Sequence, residues 1–155
     1  MIELARWQEH EAPTLARLWQ LYVYDLSDLP HAPPIDAQAR FPPVDAPEWI
    51  GARDADAWRI LADGRLAGFA LAAADGDGWF LHDFFVLRAE RRAGVGRRAA
   101  EAVFARHPGP WALRVRDGNA RAFAFWRAVA PAGSEQPPEV HADGIARVRF
   151  VFRSG

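Results

Sequence analysis

Cysteine and lysine are both missing from this chain. Without cysteine there is no acyl-thioester on the protein itself, no cysteine-held zinc and no disulfide. Without lysine there is no P-loop, which places a lysine after its last glycine. All 19 basic residues are therefore arginine, and 20 acidic residues nearly balance them, for a net charge of −1. So even a balance argues against a general binder of nucleic acid or of membrane surfaces. Tyrosine is scarce: Tyr22 and Tyr24 are the only two. No apolar run reaches the length that spans a bilayer. Glu3, Arg6, Glu9 and Glu11 interrupt the start of the chain, which is not the pattern of a secretory leader. A cytoplasmic protein without a metal site is the expectation.

What is present is enough for one core: 155 residues, half of them apolar. No repeat and no composition break divides them, so residues 1–155 are expected to form a single domain. The organising stretch runs from Leu81 to Ala105. Leu81-His82-Asp83-Phe84-Phe85-Val86-Leu87 reads as a mostly buried strand. Val95, Ala99, Ala102 and Val103 recur at helical spacing. Between them lies Arg91-x-x-Gly94-x-Gly96. A strand, a glycine turn and a helix in that order leave free backbone N–H groups at the helix start, where the helix dipole also favours an anion. Gly94 and Gly96 have no Cβ to hold a phosphate away. Arg91, Arg92, Arg97 and Arg98 add positive charge. A dinucleotide-binding turn would need a third glycine and an acidic residue roughly twenty positions on.

The order [RQ]-x-x-G-x-[GA] after a strand resembles the pyrophosphate loop of the GNAT superfamily, the acyl-CoA-dependent N-acyltransferases. Asn119-Ala120-Arg121-Ala122-Phe123-Ala124-Phe125-Trp126 resembles that family's second signature, an Asn opening a helix with an aromatic pair. The resemblance covers Trp79 to Val129. It implies an α/β (α+β) fold whose mixed central sheet has about six to seven strands, a splayed parallel pair and about four flanking helices.

The rest of the chain fits that outline. Ile2–Trp7 alternates as a first strand, and His10–Tyr24 carries a helical stripe of Leu15, Leu18, Trp19, Tyr22 and Val23. Residues 25–49 hold six prolines, too many for a long helix or an inner strand. They read as an irregular excursion with one helical turn near Ile35–Arg40, either a lid or a connector. Asp63-Gly64 is the strongest hairpin signal, joining strands at Trp58–Leu61 and Arg65–Ala74. Asp75–Gly78 turns the chain into Trp79–Leu87. A helix over Val95–Arg106 stops before His107-Pro108-Gly109-Pro110. Trp111–Arg116 alternates as a strand parallel to Leu81–Leu87. Asn119 caps a helix, and Ile145–Phe152 is a last strand.

The resemblance further implies an N-acyltransferase using acetyl-CoA and acting on a primary amine, alone or as a homodimer. A non-catalytic acyl-CoA-binding domain of the same fold is the alternative. An RNA-binding module built on Arg91–Arg98 is disfavoured by the charge balance and the lack of an aromatic stacking face. The implied donor site comprises Phe85, Val86 and Leu87, then Arg91, Arg92, Ala93, Gly94, Val95, Gly96 and Arg97, then Asn119, Phe125 and Trp126. Trp126 stands where the family often carries a proton-donating Tyr, and an indole has no acidic hydroxyl. Asp83, Tyr24 and Asp25 are the catalytic candidates. Asp83 is costly in an apolar strand unless it is paired with an Arg or faces a cleft. The candidates for a base are Asp83, Asp25, His82 and His31, with His82 read more simply as a half-exposed strand residue. Two carboxylates, Asp25 and Asp28, beside the tyrosines suit a cationic acceptor, with Tyr22 itself read as a core residue. Arg114 and Arg116 share one strand face and meet either a phosphate or neighbouring carboxylates.

Overall fold

Turn chemistry sets the frame of the molecule. The computed structural model describes residues 1–155. Asp63 and Gly64 both take positive φ, 49° and 78°, the type I′ geometry whose twist suits a tight hairpin. They join β2 (Ala55–Ala62) to β3 (Arg65–Asp75). A second turn through Gly76 leads into β4 (Gly78–Val86). With β1 (Ile2–Arg6) against β2, these four strands form an antiparallel meander. β5 (Gly109–Arg116) runs parallel beside β4. β7 (Ala146–Ser154) returns antiparallel to β5, and the short β6 (Glu139–Val140) closes the edge. The sheet therefore has seven strands in the order β1-β2-β3-β4-β5-β7-β6. β6 has no counterpart in the sequence reading, because two residues carry no period to detect.

Four helices cover the sheet. α1 (Ala12–Asp25) holds Pro13 in its first turn, where the missing N–H satisfies nothing in any case. α2 (Ala46–Trp49) is one turn long and is the only helix in the proline-rich segment. The turn expected at Ile35–Arg40 is not helical: the Asp36 carboxylate accepts from the backbone N–H groups of Gln38 and Arg40. Such a side-chain turn competes with helix formation. α3 (Val95–Phe104) ends two residues before Arg106, whose N–H bonds to the Val103 carbonyl in a tightened last turn. α4 (Ala120–Val129) starts on Asn119, whose Oδ1 accepts from the Ala122 N–H at 3.1 Å.

Two cores lie on opposite faces of the sheet. α3 and α4 pack over the larger one, which includes Leu81, Val86, Leu113, Val115, Val103 and Trp126. α1 covers the smaller one, with Leu15, Leu18, Phe69, Leu71 and Phe85. The parallel strands β4 and β5 pass between them and position the site.

Candidate active site

One extra residue in β4 opens the site. Leu71 of β3 faces Asp83, and Ala72 faces Leu81, so His82 is a bulge with no partner of its own. A bulge reverses the alternation of side chains beyond it. Leu81 packs under α3, but after the bulge it is Phe84 and Val86 that do so, while Phe85 turns to the α1 face. Parallel pairing with β5 ends at the same place, with Leu81 facing Leu113. Beyond it the two strands splay, and the gap widens into a cleft of about 670 Å³. The cleft runs from the turn at Gly94 and Gly96, past Phe84, Phe125 and Trp126, to Tyr22 and His82. Gly68 keeps the end of β4 close to β3, since a Cβ there would overlap the Phe85 carbonyl.

At the α3 end, Gly94 lies in the left-handed region with φ 72°, and a Cβ built on it meets open space. The first-turn amides of α3 have no acceptors within the helix. Gly96 is different. It is buried, and a Cβ there would come within 3.1 Å of the Phe125 ring. Phe125 in turn stacks on Phe84 with centroids 5.8 Å apart. Gly96 thus serves the packing of α4 on α3 as well as any phosphate approach, and a Gly96→Val change would disturb that packing. Trp126 is 7% exposed and belongs to the main core as well as to the cleft wall.

The other residues of the turn divide sharply. Arg91 lines the cleft, but its guanidinium is already engaged: Nε donates to the Val86 carbonyl at 2.8 Å and Nη2 to Asp25 at 2.6 Å. Arg97 lines it too, while donating to Glu101 and to the Ala128 carbonyl. Arg92 and Ala93 are exposed outside the cleft, and Val95 is a core residue. Leu87 has no free backbone group, since its N–H bonds to the Ala67 carbonyl and its carbonyl accepts from Glu90.

The acidic candidates separate in the same way. Asp25, at the end of α1, accepts from Arg88 and Arg91, at 2.7 and 2.6 Å. Burial pushes its carboxyl up, but the hydrogen bonds and charges of the two arginines outweigh that and hold it below the ordinary range. It is an anchor between α1 and the turn before α3. Asp28 contacts only Arg121, at 3.4 Å, and is exposed. Tyr24 is 66% exposed, rests near Phe41 and does not line the cleft.

Tyr22, read from sequence as core, is the tyrosine of the cleft wall. It wedges between Phe69 and Phe85 and donates its O–H to Asp83 Oδ1 at 3.1 Å. The bulge at His82 brings Asp83 onto the α1 face, where no cation pairs with it. Burial pushes its carboxyl up to about 6, against the opposing pull of the Tyr22 hydrogen bond. Burial and the neighbouring Asp83 charge raise Tyr22 in turn, so it stays protonated. His82 is pushed down by burial and by the Arg114 charge, and remains neutral.

Comparison with known proteins bears on this geometry. The chain matches the model of the acetyltransferase (GNAT) family over residues 8–129. No curated protein matches it by sequence. Among solved structures, it superposes on the ribosomal-protein-S18-alanine N-acetyltransferase of Escherichia coli with a TM-score of 0.67 at 18% identity, covering 100% of this chain and 95% of that one. An acetyltransferase of Thermus thermophilus gives 0.71 at 16% identity, covering 99% and 97%. An acetyltransferase of the same family from Bacillus cereus gives 0.70 at 12% identity, covering 100% and 99%. At such identities the superpositions speak for the fold. Together with the family match over most of the length and the splayed strands ending at a glycine turn, they place the chain in the GNAT family of acetyl-CoA-dependent N-acetyltransferases.

Proposed function

We propose that the chain acetylates a primary amine bound in the splay between β4 and β5, and that Asp83 takes the amine proton through Tyr22. The observation that carries this reading is the pair itself. Tyr22 lines the cleft and donates to a carboxylate held near 6, with no cation beside it to lower its basicity. Such a group is ionised at neutral pH yet basic enough to accept a proton.

The residues around the splay fit acetyl-CoA as the acyl donor. Gly94 leaves open space at the start of α3, and the amides there point toward an anion such as a pyrophosphate. Phe84, Phe125 and Trp126 offer an apolar wall between that turn and the reacting end. The backbone of β4 beyond Leu81 has no strand partner on the β5 side and is available to an extended ligand. Bound there, the donor supplies an activated acetyl carbonyl: a C–N bond forms, the C–S bond breaks, and the nitrogen loses one proton while the sulfur gains one.

In this chain the aromatic face of α4 titrates nothing, because Phe125 and Trp126 have no acidic hydroxyl. Asp83, behind the cleft wall and bonded to Tyr22, is then the proton acceptor of this reading. CoA release measured against a panel of amines tests the activity. The rate should rise with pH through about 6 and show no falling limb from a tyrosine near 10. A rate independent of pH from 5 to 8 would remove Asp83 from the mechanism.

A further inference from the structure

The charges that line the cleft are six arginines against one aspartate, in a chain whose net charge is −1. The aspartate is Asp25, already held by two arginines. A cationic acceptor, which Asp25 and Asp28 suggest from sequence, meets no uncommitted carboxylate in the cleft lining.

Most of the arginines are committed as well. Arg91 and Arg97 have the partners described above. Arg121 donates to the Asp25 carbonyl and to Asp28, and Arg147 is paired with Asp143 at 2.7 Å. Arg114 and Arg116 are the exceptions: no ion pair in the molecule includes either. Arg114 instead lies over the Phe80 ring at 5.1 Å. On β5 they alternate with Leu113 and Val115, which face the core beneath α3. Arg114 and Arg116 therefore point to the opposite face, away from the turn at Gly94. Their charges are felt at that side of the cleft: Arg114 adds to burial in pushing His82 down, and Arg116 works against the burial and the Asp83 charge that raise Tyr22.

Across the strand pair the arrangement is repulsive. Arg114 stands directly opposite Arg149, and Arg116 opposite Arg147. Like charges directly opposed on one sheet face destabilise it. Asp75 and Asp143 compensate Arg149 and Arg147, and nothing on this face compensates Arg114 and Arg116. Two guanidiniums without an ion-pair partner, on the sheet face opposite the core beneath α3, can act as a carboxylate- or phosphate-binding fork.

We infer that the acceptor is an anionic amine: a primary amine carrying a carboxylate or phosphate, which Arg114 and Arg116 hold while the nitrogen faces Tyr22. This rests on the acetyltransfer reading above. It adds no step to that reaction and selects which amine enters.

The test uses the whole chain with matched amines: phosphoethanolamine against ethanolamine, β-alanine against propylamine, and peptides with a free N-terminus followed by acidic or by basic residues. Calorimetry measures acetyl-CoA, dephospho-acetyl-CoA and each amine separately. The expected result is kcat/KM at least tenfold higher for the anionic member of a pair. The small-molecule and peptide pairs show which source supplies the anion. Arg114→Gln/Arg116→Gln should remove that preference, keep the wild-type affinity for acetyl-CoA and melt no lower than wild type, because it relieves opposed charges. Equal use of anionic and uncharged amines, a preference for the basic peptide, or a preference that survives the double variant would overturn the inference. So would a double variant that loses affinity for acetyl-CoA but not for dephospho-acetyl-CoA, since the arginines would then serve the donor's 3′-phosphate. Failure to bind acetyl-CoA at all would instead sink the acetyltransfer reading, and the directly measured affinity for phosphoethanolamine and β-alanine would still decide the arginine fork.

Discussion

Replacing Asp83 by Asn should make the protein more stable and less active, and both effects follow from one buried carboxyl. The ordinary carboxyl value of 3.8 is raised to about 6 in the fold, chiefly by burial. The folded state therefore holds the proton more tightly than the unfolded chain does. Between these two values the folded form binds more protons, so stability falls as pH rises through that window and stays lowered above it. The ionised carboxylate thus costs about 3 kcal/mol at pH 7. Asn removes this cost, and its Oδ1 can still accept from Tyr22. In urea titrations at pH 4, 5, 6, 7 and 8, Asp83→Asn should match wild type near pH 4 and exceed it by about 2–3 kcal/mol at pH 7 to 8. Comparing the two proteins cancels every other titrating group. The same substitution removes the proposed proton acceptor, so kcat should fall by about a hundredfold or more, and the rising limb near pH 6 should vanish while acetyl-CoA affinity holds. A variant less stable than wild type at pH 7, or a stability difference independent of pH, would refute the argument that burial dominates at Asp83.

Two further outcomes follow from packing, one from the backbone at Gly94 and one from the charge at Asp25. Gly96→Val should overpack the contact with Phe125, costing about 1–3 kcal/mol in chemical denaturation together with acetyl-CoA affinity. Gly94→Ala meets no atom and should cost about 1 kcal/mol, through its left-handed backbone alone. Trp126→Ala should destabilise the whole domain by about 3–5 kcal/mol, visible as a lowered Tm without any ligand, because Trp126 sits in the main core. Asp25→Asn should release Arg88 and Arg91 and cost about 2 kcal/mol at neutral pH. Because the folded carboxyl is depressed, that difference should be full above pH 5 and shrink as pH falls below about 4.

Much of the fold is legible in the sequence because its signals are local. Asp63-Gly64 writes its own hairpin, Asn119 its own helix cap, and the alternation of Trp111–Arg116 its own strand face. The proline-rich stretch announces irregular structure, but its single helical turn at Ala46–Trp49 is chosen by the Asp45-Ala46-Pro47 start, while Asp36 spoils the earlier candidate. The glycine turn before α3 is equally local. That Gly96 faces Phe125 depends on where α4 docks, which no window around Gly96 contains.

The chemistry of the site is less legible because it hangs on one residue of register. Strict alternation along Leu81, Asp83 and Phe85 would put all three on the face beneath α3 and α4. A carboxylate there would be buried among Val103, Leu113 and Trp126 with nothing to accept from. The bulge at His82 has neither a glycine nor a proline to announce it, yet it moves Asp83 and Phe85 to the α1 face together. Only then does Asp83 reach Tyr22, 61 positions earlier in the chain. Choosing Tyr24 over Tyr22, two residues away, is the natural result of reading α1 without knowing which of its sides meets β4. Tyr22 packs on Phe69 and Phe85 as a core residue does, and its hydroxyl alone escapes that description. The same bulge ends the pairing of β4 with β5, so the step that aims the carboxylate is also the step that opens the cleft. Deleting His82 should therefore close the bulge while leaving Asp83 next to Leu81 and opposite Leu71, still on the α1 face. The stability difference of Asp83→Asn at pH 7 should persist in urea titrations, while acetyl-CoA binding, read by calorimetry, should weaken as the regular strand carries its pairing with β5 past Leu81.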